Sequence, residues 1–98
     1  EELPRFPAVY MDVAVIVEDS ISAARVREVV RRSGSPEVVS ARLFDLYSGE
    51  QVSGGRKSLA FALELRHPER TLTDEEAAGV RDRIVRALRD ELGAELRG

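Results

Sequence analysis

Residues 56–66 alternate without a break. Leu59, Phe61, Leu63 and Leu65 take one parity, and Ser58, Ala60, Ala62, Glu64 and Arg66 take the other. Successive side chains of a strand point to opposite faces, so this segment reads as a strand buried on one side only. Such a strand needs neighbours for its backbone hydrogen bonds and a second layer over its apolar face. The flanking sequence supplies both. Residues 10–18 repeat the pattern, with Met11, Val13, Val15 and Val17 set against Asp12, Ala14, Ile16 and Glu18. Residues 37–47 read as another strand with Ala41 and Leu43 inward. There the apolar Phe44 and Leu46 confuse the parity, which points to a bulge. Glycines at 49, 54 and 55 mark the hairpin turn between that strand and residues 56–66.

The second layer comes from two amphipathic segments. Ser20 or Ser22 can cap a helix over 22–33 that puts Val26, Val29 and Val30 on one side. Gly34 is expected to end it as a left-handed cap, with Pro36 as a breaker. Thr73 opens a helix over 74–92 with a capping box. Its hydroxyl can accept from the Glu76 N–H, while the Glu76 carboxylate returns to the Thr73 N–H. Val80, Ile84, Leu88 and Leu92, with Ala77 and Ala87, form the buried stripe. Gly93 closes the helix, and residues 94–97 suggest a short last strand. The order is therefore β-α-β-β-α-β. The reading is an α+β, ferredoxin-like sandwich, with a four-stranded antiparallel sheet and two helices on one face. The expected core is Val13, Val15, Val26, Val30, Leu59, Phe61, Leu63, Val80, Ile84 and Leu88.

A length of 98 residues allows one domain, with residues 1–8 as a lead-in. The start has neither an initiator Met nor a basic leader, and it reads as a piece of a longer chain. Cysteine is absent, which excludes disulfides and thiolate chemistry. No apolar run approaches the roughly 20 residues of a membrane span. The net charge of −3 argues against free-standing nucleic-acid binding, which draws its affinity from a basic surface. Any RNA contact must be local or shared with other domains.

Few residues suggest chemistry. Gly49 to Gly54 ahead of Lys57 and Ser58 is no phosphate loop, because a strand follows where a helix N-terminus is required. Asp12, Asp45 and Glu64 have no histidine or lysine cluster to make acid–base pairs, and Asp45 and Tyr47 suit hydrogen bonds that pin the hairpin. His67, the sole histidine, precedes Pro68 with no second ligand nearby, so no metal site is expected. Arg70 is read as the anchor of the loop before the capping box. Asp82 and Arg86 are read as a surface pair. No catalytic residue is assigned.

Three motifs carry a resemblance. They are Leu43-Phe44-Asp45-Leu46-Tyr47-Ser48-Gly49, then Gly55-Arg56-Lys57-Ser58-Leu59-Ala60, then Arg70-Thr71-Leu72-Thr73-Asp74-Glu75-Glu76. Together with Phe6-Pro7 and the closing Leu92-Gly93-Ala94-Glu95-Leu96-Arg97, they resemble the C-terminal anticodon-binding domain of bacterial phenylalanyl-tRNA synthetase beta chains. The resemblance implies a cytoplasmic tRNA-binding module that contacts the anticodon stem and loop of tRNA-Phe and is itself inactive. It also implies that phenylalanine, ATP and magnesium are handled by an alpha subunit and editing by another part of the beta chain, within an alpha2-beta2 heterotetramer. Members commonly carry Arg-Asp in the first strand where this chain has Met11-Asp12. RNA is expected on the open sheet face, centred on Asp12, Ala14, Ser58, Ala60 and Ala62, with Arg42, Lys57 and Arg66 beside them. That face presents small side chains in place of the stacking aromatics of common RNA-recognition sheets.

Two readings from other classes share the element order. An ACT-type small-molecule sensor needs glycine in the first strand–helix turn, and residues 18–22 contain none. An acylphosphatase needs an asparagine, and the chain has none.

Overall fold

The computed structural model describes residues 6–48 and 54–97. The elements are β1 (Val9–Glu18), α1 (Ala23–Ser33), β2 (Val38–Ser48), β3 (Arg56–Leu65), α2 (Asp74–Leu92) and β4 (Glu95–Leu96). They build a ferredoxin-like fold whose one sheet has the order β2-β3-β1-β4, with every described pairing antiparallel. No helix among the described residues is long and apolar enough to cross a membrane. The turn glycine at 49 lies outside the described residues, and the last strand is shorter than 94–97.

Alternation in β3 decides the layering. Leu59, Phe61, Leu63 and Leu65 are buried and join Val13, Val15 and Val17 of β1 in one cluster. Val26, Val29 and Val30 of α1 and Ala77, Val80, Ile84 and Leu88 of α2 complete that cluster, so both helices lie on the same side of the sheet. All ten residues expected in the core are buried.

Helix ends follow their local chemistry. The Arg25 N–H donates to Ser22 Oγ at 3.0 Å, which makes Ser22 the cap of α1. At α2 the capping box is complete, with Glu76 N–H to Thr73 Oγ1 at 3.1 Å and Thr73 N–H to Glu76 Oε1 at 2.9 Å. Arg70 binds the same carboxylate through both guanidinium nitrogens and so anchors its loop. The Arg70 hydrogen bond, and then the capping bond from the Thr73 backbone, pull Glu76 down to a pKa of about 2. Arg83 of α2 donates to the carbonyls of Ser33 and Ser35 and to Glu37, which ties the end of α1 to the start of β2. Asp82 and Arg86 form no ion pair among the described residues, against expectation.

Gly34 corrects another expectation. Its φ is −91°, so no left-handed cap forms there, whereas Gly93 does adopt φ 66° after α2. Space is what requires glycine at 34. A Cβ there would overlap Val38 Cγ2 and stand 3.0 Å from both Ile84 Cδ1 and the Val30 carbonyl oxygen. These are a packed strand residue, a core side chain and helix backbone, none free to move aside. Gly34→Ala is therefore expected to cost about 1–3 kcal/mol by overpacking. A lowered urea midpoint at unchanged slope would register it, and an unchanged midpoint would refute it.

Strand β2 contains two bulges. Its register against β3 slips by one residue between Val38 and Ser40 and again between Leu43 and Asp45, so Val39 and Phe44 have no partner across the ladder. The second slip resolves the parity around Phe44. Leu43 pairs with buried Phe61, and Asp45 pairs with Ala60 on the other face.

Candidate nucleic-acid interface

The sheet face away from the helices is organised in four rows, fixed by the cross-strand register of β2, β3 and β1. From one end they run Ser40–Glu64–Tyr10, Arg42–Ala62–Asp12, Asp45–Ala60–Ala14 and Tyr47–Ser58–Ile16. Directly paired residues share a face, and rows are spaced by two residues, or roughly 6.7 Å. Ala62, Ala60 and Ala14 make a low floor in the two middle rows. Arg42 and Asp12 border it with no ion pair or hydrogen bond among the described residues. Beside this floor a shallow cavity of about 130 Å³ is lined by Tyr10, Ser40, Arg42 and Glu64 among others.

Five of the eight residues expected here lie on the face with accessible surface: Asp12, Ala14, Arg42, Ala60 and Ala62. The other three need correction. Lys57 pairs with buried Val17, which places it on the helix side of the sheet. Its ammonium donates to the Asp19 carbonyl at 3.0 Å and so secures the β1–α1 loop. Ser58 has the expected parity but is only 1% exposed. Arg66 is spent on structure: Nε donates to Glu64 at 2.7 Å and Nη1 to the Phe6 carbonyl at 2.9 Å, holding the lead-in against β3.

Arg97 is what covers Ser58. Its backbone N–H donates to the Ala14 carbonyl at 2.8 Å, just beyond β4. The side chain then crosses the face, donates to Ser58 Oγ at 3.0 Å and brings its guanidinium to 4.9 Å from the Tyr47 ring centroid. One arginine thus spans from the β4 edge to β2. Asp45 raises the Tyr47 hydroxyl above its ordinary pKa, first by a hydrogen bond and then by its charge, with Arg97 opposing. Asp45 Oδ1 also accepts from the Leu46 N–H at 3.0 Å, beside the bulge.

Aromatic rings are the residues the sequence reading missed. Tyr10 is 71% exposed and Tyr47 37%, at opposite corners of the four rows, and the bulge residue Phe44 is 47% exposed. The expectation of a purely small-residue face is corrected accordingly. Tyr10 could have been found by extending the alternation of the first strand back two residues from Asp12. Tyr47 could not, because its face depends on the bulge. Exposed rings around a low floor beside an unpaired arginine can stack bases and meet phosphate.

Comparison with known proteins agrees with this architecture. Residues 4–97 match the ferredoxin-fold anticodon binding domain, and the chain belongs to that family. It is 44% identical over 98 residues to the beta subunit of phenylalanine–tRNA ligase from Geobacillus kaustophilus, all of this chain but 12% of that protein's length. The corresponding subunit of Anaeromyxobacter dehalogenans is 52% identical over 96 residues, covering 98% of this chain and 12% of its own length. That of Symbiobacterium thermophilum is 50% identical over 95 residues, covering 97% and 10%. The chain therefore spans about a tenth of the relatives it matches. The sensor-type alternative finds no support in these matches.

Proposed function

We propose that this domain is the anticodon-binding module of a phenylalanine–tRNA ligase beta subunit and contacts the anticodon stem-loop of tRNA-Phe through the open sheet face. The observation that carries the reading is the uncovered alanine floor of Ala14, Ala60 and Ala62, bordered by Arg42 and with Tyr10 and Tyr47 at its corners. Low side chains admit RNA bases close to the sheet, the rings stack them, and the cations hold the backbone. The domain's role is accessory, and the ligation is carried out elsewhere in an alpha2-beta2 assembly. ATP and magnesium belong to that other site. Among the described residues no three metal-ligating side chains are grouped, so nothing here fits magnesium.

Ala60→Glu in the intact enzyme tests the reading. Ala60 pairs with Ala14 on one side and Asp45 on the other, so the new carboxylate joins an existing negative charge in the middle of the face. The KM for tRNA-Phe is expected to rise about tenfold, as one charge contact is turned to repulsion. Phenylalanine-dependent pyrophosphate exchange should be unchanged, because the position faces away from the core. Aminoacylation kinetics with the wild-type KM would move the RNA contact off the sheet.

A further inference from the structure

Charge is divided unevenly between the two helices of this acidic domain. α1 carries four arginines and one glutamate, whereas α2 carries six carboxylates and four arginines. Arg27, Arg31 and Arg32 are spaced by four and five, which brings them to one side of α1. They line an open groove of about 630 Å³ between that helix and the start of β2, with Ala24 and Val38 as its apolar part.

The groove's charges are not all neutralised. Glu28, its one carboxylate, is bound to Arg25 at 2.7 Å, and Arg32 is paired with Glu91. Arg27 spends Nε on the Ala41 carbonyl at 2.6 Å, one of the five donors a guanidinium offers. Arg31 is exposed and has no hydrogen bond or ion pair among the described residues. Ala41, which holds Arg27, belongs to the edge strand, and its chain neighbour Arg42 stands unpaired on the open face. Arg42, Arg27 and Arg31 thus follow one another around the β2 edge, from the open sheet face to the helix layer.

We propose that this rim is a second RNA contact, in which Arg31 and Arg27 grip the phosphodiester backbone of the same RNA that the sheet face reads. The inference rests on the reading of the open face as an RNA interface and extends it around the edge of the sheet. Three observations favour RNA over an acidic protein segment. The rim is continuous with that face. Guanidinium forks match phosphate oxygens in a paired geometry. The groove's only apolar surface, Ala24 and Val38, is too small to anchor a protein side chain of the size that dominates such contacts. Contact here fixes the orientation of the stem and reads no sequence.

The test uses the intact ligase and tRNA-Phe, with the dissociation constant measured across a potassium chloride series. Arg31→Ala should reduce the magnitude of the log–log salt slope by about 0.7–0.9, the share of one phosphate contact. Its loss of affinity should be the same for a tRNA with a substituted anticodon. Arg31→Glu should weaken binding further, and both variants should activate phenylalanine normally. Ala60→Glu, measured in parallel, separates the two ideas. A wild-type slope in Arg31→Ala together with weakened binding in Ala60→Glu overturns the rim and leaves the sheet reading standing. A reduced slope in Arg31→Ala with wild-type binding in Ala60→Glu keeps the rim and sinks the sheet reading. If Arg31→Glu instead separates the enzyme's subunits on gel filtration while the Arg31→Ala slope is unchanged, the groove is a protein contact and the proposal fails.

Discussion

Phe61→Ala is expected to destabilise the domain by about 3–5 kcal/mol, the range for removing a fully buried ring. Phe61 is 0% exposed and sits in the middle of β3, a central strand flanked by β2 and β1. It pairs with Leu43 on one side and Val13 on the other, and the helices close over the same face. Truncation leaves a cavity bounded by sheet and helix backbones, which cannot collapse without breaking the β2 register. A domain of this kind has about 5–15 kcal/mol in total, so the loss is a large share of it. Urea unfolding should show a lower midpoint with little change in slope. A loss below about 1 kcal/mol would mean that the site relaxes, and the ring would then not be a keystone of the core.

Phe61 also shows why much of the fold was legible in the sequence. Its strand alternates strictly because one face is covered and the other is not, and period two survives wherever the ladder is regular. The capping box at Thr73 was equally legible, since donor and acceptor are three residues apart and the chemistry is local. Legibility failed where a residue's surroundings are set by a distant part of the chain. Lys57 falls on the helix side because its parity is locked to Val17, forty residues earlier in the chain. Ser58 is buried by Arg97, across the sheet and 39 residues away in sequence. Gly34 looked like a conformational glycine, yet Val38 and Ile84 make it a spatial one. The bulge at Phe44 hid Tyr47 for a related reason: a one-residue slip sends every later side chain of the strand to the other face.

Tyr47→Ala is expected to weaken tRNA-Phe binding by the intact enzyme by about 1–3 kcal/mol, or roughly 5- to 150-fold, the range for losing one base–aromatic stack. The ring is accessible at the corner of the open face and has Arg97 over it at 4.9 Å. That cation limits the ring's rotation, so the platform is set before RNA arrives and less ordering is left for binding to offset. Arg97 would keep its bond to Ser58 in the variant, which confines the change to the missing ring. Tyr47→Phe divides the two roles the side chain can have. It retains the stacking surface and the cation contact but loses the hydroxyl that Asp45 engages. If stacking dominates, Tyr47→Phe should bind within about threefold of wild type while Tyr47→Ala loses most of the stack. Equal losses in both variants would assign the contribution to the hydroxyl and Asp45. Wild-type binding by Tyr47→Ala would remove the ring from the interface and leave Tyr10 and Phe44 as the rings still able to stack a base on this face.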